Sequence, residues 1–242
     1  MTVPNLQEIS QQLDSESTRD RRLALAALRD VSPEDAVPLI KKVLHDPSID
    51  IRSMAVFALG IKQTPECYEL LIEVLADRDY SIRASAAGAL GYLADARAFE
   101  PLVRTLMEDT NWLVQFSAAV SLGNLKDPRA REVLMQSLKS DTVVIQQAAI
   151  AALGEIKAVE AVDDMLAFVQ SEDWLVRQRL AEALGNLPTP KSVSALKYLA
   201  KDEHAQVEAA ATLSLQRLEA VQSLSVPERG SKSGSEHGPD NG

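Results

Sequence analysis

Apolar residues recur along this chain at helical spacing, and the spacing pattern itself recurs about every 31 residues. In the stretch from Asp109 to Lys126, DTNWLVQFSAAVSLGNLK, taking Gln115 as position zero puts Val114 at −1, Ala118 at +3, Leu122 at +7 and Gly123 at +8. The same frame returns at Arg21, Arg52, Arg83, Gln146, Arg177 and Glu208, always 31 residues on except for 32 between Arg83 and Gln115. Leucine fills +7 in all seven copies, and alanine fills +3 in all but the copy with Leu180. Positions −1, +3 and +7 share one face of a helix, so each copy predicts an amphipathic helix, and the period predicts an array of like units.

Between these inner helices lies a second apolar periodicity. Residues 2–14 carry Leu6, Ile9 and Leu13 on one stripe, the first outer helix. Ser32-Pro33-Glu34-Asp35 is a helix start, since serine caps free N–H groups, proline suits the first turn and acids suit the dipole. Later outer helices begin near Thr64-Pro65, Asp95, Asp127-Pro128 and Thr189-Pro190; the helix from Lys157 to Phe168 has no such signal. Asp79, Asn111 and Asp173 at −4 read as N-caps of inner helices, with Ser48 and Thr142 in the same place. Glycine at +8 permits close backbone approach or termination. Seven helix pairs result. No pair buries its own stripe, so the expected fold is all-α, a right-handed solenoid over residues 1–220. Residues 221–242, rich in Ser, Gly and charge and without period, read as a disordered tail.

Composition narrows the function. A net charge of −10 argues against a nucleic-acid groove or an anionic membrane surface, because either needs a basic footprint. No apolar run approaches the ~18 residues of a membrane span, and no basic-then-apolar leader opens the chain, so it reads as cytoplasmic. Cys67 stands alone, which excludes a disulfide or a multi-cysteine metal site within one chain. The paired acids Glu34-Asp35 and Asp163-Asp164 read as solvated helix charges.

With units such as DRDYSIRASAAGALGYL (77–93) and SEDWLVRQRLAEALGNL (171–187) in view, the chain resembles HEAT-like solenoids of the phycobilin-lyase and phycobilisome-degradation type from cyanobacteria. That resemblance implies proteins that attach bilin to phycobiliproteins, proteins of phycobilisome turnover, or adaptors without catalysis, one kind associated with A-type iron–sulfur carriers. It also implies an Asp/Arg ladder along the inner helices. Arg21, Arg52, Arg83 and Arg177 match its Arg rung, with Asp46 and Asp77 six residues before two of them, and Gln115, Gln146 and Glu208 break it. HEAT-repeat hydroxylases hold iron with His-Glu steps, whereas this chain has only the reversed pairs Glu203-His204 and Glu236-His237; the isomerising lyases' adjacent His and Cys are absent.

On the helical wheel, −1, +3, +6 and +7 form the core face, leaving −3, +1, +4, +5 and +8 for the concave side. That second set carries Tyr80, Trp112 and Trp174 at −3, Phe116 at +1, and Phe57 and Val120 at +5. Trp112 and Phe116, four residues apart, are expected to touch. The candidate partner-binding residues are therefore Tyr80, Trp112, Gln115, Phe116, Gln146 and Trp174, the two glutamines forming a neutral strip in mid-array. No catalytic or metal-ligating residue emerges. Three functional readings stay open: a non-catalytic scaffold in phycobilisome or photosynthetic-complex biogenesis or turnover; a bilin lyase subunit or bilin chaperone; and an iron–sulfur adaptor, with any cluster held through a partner and Cys67 at most an auxiliary ligand. Bilin is the only cofactor these readings admit on the chain itself.

Overall fold

The computed structural model describes residues 5–224, which hold fourteen α-helices and no strand. The outer helices are α1 (Leu6–Leu13), α3 (Pro33–Lys41), α5 (Pro65–Val74), α7 (Phe99–Glu108), α9 (Arg131–Ser137), α11 (Val162–Met165) and α13 (Pro190–Leu199). They alternate with the inner helices α2 (Thr18–Ala27), α4 (Ile49–Lys62), α6 (Tyr80–Leu93), α8 (Trp112–Asn124), α10 (Val143–Glu155), α12 (Trp174–Leu184) and α14 (Ala205–Leu224). The seven pairs stack in chain order as a helical-repeat solenoid, each packed on its neighbours. Helix α14 runs four residues past the boundary expected at 220; the rest of the expected tail lies outside the described residues.

The core follows the repeat frame, with one correction. Positions −1, +3 and +7 are buried in every central copy, as in Ile82, Ala86 and Leu90. Position +4, expected on the open side, is buried too: Val56, Ala87, Ala119, Ile150 and Ala181 are all fully enclosed. The reason is the array itself. A helix flanked on both sides by inner helices and backed by outer ones covers a wider arc than one apolar stripe, and apolar side chains at +4, three of these five being alanine, fill the seam.

Position +8 is likewise a seam, not an open face. A Cβ added to Gly154 would lie 2.8 Å from the Cα and Cβ of Ala183 in the next inner helix, and one on Gly123 would lie 2.9 Å from those of Ala152. Ser121, opposite Gly91, donates from Oγ to the carbonyl of Ala87 at 2.9 Å, tying α8 to the backbone of α6. Glycine here serves close approach, and only α12 stops at its glycine, with Gly185 as C-cap; in the four preceding repeats Gln63, Ala94, Lys126 and Lys157, each at +11, take the left-handed conformation with φ of 51–56°. Gly154→Ala is expected to cost about 1–3 kcal/mol in urea unfolding, since the neighbouring backbone has no slack. Gly88→Ala has the opposite expectation, a gain of about 0.5–1 kcal/mol, because that glycine sits inside α6 with nothing within 4 Å of its missing Cβ.

Successive inner helices touch along their length, whereas successive outer helices barely meet. A two-layer stack whose inner layer is the more tightly spaced bends towards that layer, so the inner helices line the concave side. The weakest outer element is the one without a start signal in the sequence: Val159–Phe168 breaks into a 3-10 turn, the four-residue α11 and another 3-10 turn, with no side-chain cap at its start.

Candidate functional site

The loops that lead into the inner helices are built around the rung residue. Each rung arginine donates to a carbonyl in its own loop, six residues back: Arg52 Nη1 to Asp46 O at 2.9 Å, Arg83 Nη1 to Asp77 O at 3.0 Å, Arg177 Nη1 to Ser171 O at 2.6 Å. Its other face pairs with the aspartate in the next repeat's loop. These pairs are Arg21–Asp46, Arg52–Asp77, Arg83–Asp109 and Arg177–Asp202, at 2.6–2.9 Å and largely enclosed. Each of these aspartates in turn accepts the N–H two residues on, at 2.8–2.9 Å. One guanidinium thus fixes two loops and one carboxylate shapes a turn.

Where the rung is glutamine, the aspartate is gone as well. The residues standing where partners of Gln115 and Gln146 would be are Ser140 and Ser171. Gln146 Nε2 keeps the bond to its own loop, 2.7 Å to Ser140 O, and Ser140 Oγ keeps the turn by accepting from Thr142 N–H at 3.2 Å. The neutral strip is therefore a matched pair of uncharged rungs, with no carboxylate stranded.

Hydrogen bonds from Arg83 and Arg177 hold Asp109 and Asp202 below the usual carboxylate range, and the aspartates hold those arginines above theirs. A carboxylate depressed on folding stabilises the fold in full above its unfolded value, ~3.9, and loses that contribution as pH falls through the lower folded value. Stability is expected to be level from neutral pH down to about 5 and to fall steeply below about 4, and Asp202→Asn to flatten that fall while lowering the plateau. Urea midpoints against pH measure both.

Tyr80, Trp112 and Trp174 each open an inner helix, directly after the caps Asp79, Asn111 and Asp173, whose side chains accept from the N–H of Ser81, Leu113 and Leu175 at 2.8–2.9 Å. Ser48 and Thr142 hold the cap position without a side-chain cap bond. The first-turn place is apolar and open across five consecutive repeats: Ile49, Tyr80, Trp112, Val143 and Trp174 are 37–51% exposed. With inner helices ~10 Å apart, they form one row along the edge of the concave side. Ile49 and Val143 complete a row in which sequence reasoning saw only aromatics; the signal was the column itself.

Phe116 does not join that row. It is half-buried and packed against the core. Trp174 stacks on His204, the residue leading into α14, with centroids 4.1 Å apart and planes at 10°. Gln115 and Gln146 lie half-buried one turn behind Trp112 and Val143.

A second open apolar area lies at the other end of the helices. Phe57, Ile61 and Tyr92, 71%, 56% and 73% exposed, rim a groove of about 650 Å³ between α4 and α6, floored by Gly88. Tyr80 and Tyr92 are twelve residues apart on α6, ~18 Å along its axis, so the groove's aromatic rim is separate from the row, although its lining reaches back to Ser53 and Ser85. Of the groove, only Phe57 had been singled out, because +9 was not in the frame.

Among the described residues no group of three or more His, Cys, Asp or Glu side chains is placed to hold a metal, and no helix is long and apolar enough to cross a membrane. Cys67 is fully buried in α5, its Sγ 3.2 Å from Thr64 Oγ1, which removes it as an auxiliary ligand for a cluster.

The HEAT repeats model matches residues 6–87, 68–149 and 138–216. No curated protein sequence matches the chain. Among solved structures, a chain of the Kap95p–RanGDP complex superposes with a TM-score of 0.66 at 16% identity, over 91% of this chain and 36% of that one. The complex of CpcE and CpcF of phycocyanin lyase from Nostoc sp. PCC7120 gives 0.57 at 18% identity, over 90% and 97%. An engineered protein gives 0.54 at 21%, over 90% and 98%.

Proposed function

The chain belongs to the HEAT-repeat family, and we propose that it is a non-catalytic scaffold that holds a protein partner against the apolar row at the first turns of its inner helices. The observation that carries this is the row: Ile49, Tyr80, Trp112, Val143 and Trp174, one per repeat and all substantially open to solvent. An aromatic side chain can bury roughly 150–250 Å², about 4–6 kcal/mol at ~25 cal/mol per Å². Half-exposed, each forfeits much of that until a partner covers it, which is the property of an interface anchor. The uncharged rungs at Gln115 and Gln146 lie directly behind the middle of the row, where a partner's apolar surface meets no buried ion pair.

The partner we propose is a phycobiliprotein subunit, placing the protein in phycobilisome or photosynthetic-complex biogenesis or turnover. The support is the repeat style of the sequence together with a fold shared with the phycocyanin lyase complex. A bilin lyase subunit or bilin chaperone is the second reading, favoured by the same likeness, with a tetrapyrrole lying on Trp112. In the third, an adaptor for an iron–sulfur carrier, the cluster would belong wholly to the partner, since Cys67 is enclosed.

The test is affinity capture of tagged protein from a cyanobacterial lysate, wild type beside Trp112→Ala/Trp174→Ala, with absorption spectra and protein identification on each eluate. Phycobiliprotein subunits without free bilin, lost in the variant, are the expected result. Bilin absorption lost in the variant selects the chaperone reading; iron–sulfur carriers select the third. Identical eluates would remove the row as the binding surface.

A further inference from the structure

Gly88 is a helix-interior glycine that none of its neighbours requires. The other five glycines of the described residues lie against the following inner helix, whereas a Cβ on Gly88 would meet nothing within 4 Å. It sits between Ala87 and Ala89, where a third alanine would make a firmer helix. What the missing side chain leaves open is the floor of the groove between α4 and α6.

The walls of that groove have the form of a helix seat. Ser53, Phe57 and Ile61 stand at i, i+4 and i+8 on α4, and Ser85 and Tyr92 stand opposite on α6. Rows spaced by four are the ridges between which a further helix packs. None of the lining residues is an acid or a base, although a quarter of the chain is charged. A charged side chain entering there would be desolvated with no counter-charge.

We propose that this groove seats a single helix of a partner protein, which lays an uncharged apolar face between α4 and α6 and places a large apolar side chain over Gly88. The wall from Ser53 to Gln63 is ~15 Å long, which three turns cover with anchors at i, i+4 and i+7. A small apolar molecule in the groove would touch only the groove-facing sides of Phe57 and Tyr92, which are both more than 70% exposed; a helix lying across the rim covers more of each. The assignment rests on observations other than the first-turn row: Gly88 and the rim residues Phe57, Ile61 and Tyr92 stand two or more turns from Ile49 and Tyr80.

The probe is a fluorescein-labelled, end-capped peptide of about 14 residues with leucine at i, i+4, i+7 and i+11 and alanine or glutamine elsewhere, read by anisotropy. Saturable binding is expected, with the same affinity at about 50 and 500 mM salt because no charges meet. Gly88→Leu should weaken it at least roughly ten-fold while melting at or above the wild-type temperature, Phe57→Ser should weaken it comparably, and Trp112→Ala/Trp174→Ala should leave it unchanged. The proposal is overturned by any of four results: no saturable binding, full binding by Gly88→Leu, a lower melting temperature for Gly88→Leu, or equal binding of a peptide with lysine or glutamate on its leucine face. Concentration-dependent dimerisation of the wild type in sedimentation, abolished by Gly88→Leu, would give the groove to a second copy instead.

Discussion

Arg52→Gln is expected to lower the stability of the array by about 3 kcal/mol, and adding Asp77→Ser to restore more than half of the loss. The pair is the most enclosed of the ladder, with side-chain exposures of 5% and 9%. Glutamine can still reach the carbonyl of Asp46, as Gln146 reaches Ser140 O at 2.7 Å, so the single variant loses chiefly the charge and leaves the Asp77 carboxylate enclosed without its partner. Serine at 77 removes that stranded charge and can still accept the N–H of residue 79, as Ser140 does for Thr142. The double variant thus rewrites a charged rung as a copy of the protein's own neutral ones. Urea unfolding of the two singles and the double, followed by circular dichroism, gives the coupling energy directly. Additive losses would mean that the ladder does not act as inter-repeat pairs.

Leu122→Ala is expected to cost about 2–5 kcal/mol, whereas Leu215→Ala should cost well under half of that. The two residues occupy the same +7 position and look alike in sequence. Leu122 is fully enclosed, on a helix packed against α6, α7 and α10, so its truncation leaves a cavity that water cannot fill. Leu215 is half-buried in the last inner helix, which has an inner neighbour on one side only, and water can fill what is removed. Equal costs at the two positions would contradict the stacked arrangement, because they would imply that each repeat is stable by its own contacts. The same unfolding assay measures both.

What the sequence revealed follows from which contacts repeat. Leu at +7 and Ala at +3 recur because every repeat meets the same neighbours, and a recurring environment writes a recurring letter; the seven pairs and their order were legible from this alone. The ladder was half legible. Arg52 and Asp77 lie 25 residues apart and belong to different repeats, so pairing them requires knowing that loops of successive units are adjacent. Once that is known, the joint change of Arg to Gln at 146 and Asp to Ser at 171 reads as one substitution. The open face was misjudged where a single helical wheel stood in for an array: Val56 and Ala119 at +4 face a neighbouring helix that the wheel does not contain. The groove over Gly88 was invisible for a related reason. A glycine among small residues signals nothing until the contacts of its five counterparts show that it alone lacks one.

The glycine seam has a mechanical consequence. Inner helices in backbone contact cannot be pressed closer, as at Gly123 on Ala152, while outer helices meet sparsely across repeats and carry exposed ion pairs such as Lys191–Asp163 and Arg97–Glu69. Flexing of the stack therefore pivots on the seam, and the strain is taken up in the outer layer. The seam is the neutral axis of the beam. Side chains mounted beside it, such as Phe57 next to Gly60 and Tyr92 next to Gly91, keep their mutual spacing when the stack flexes.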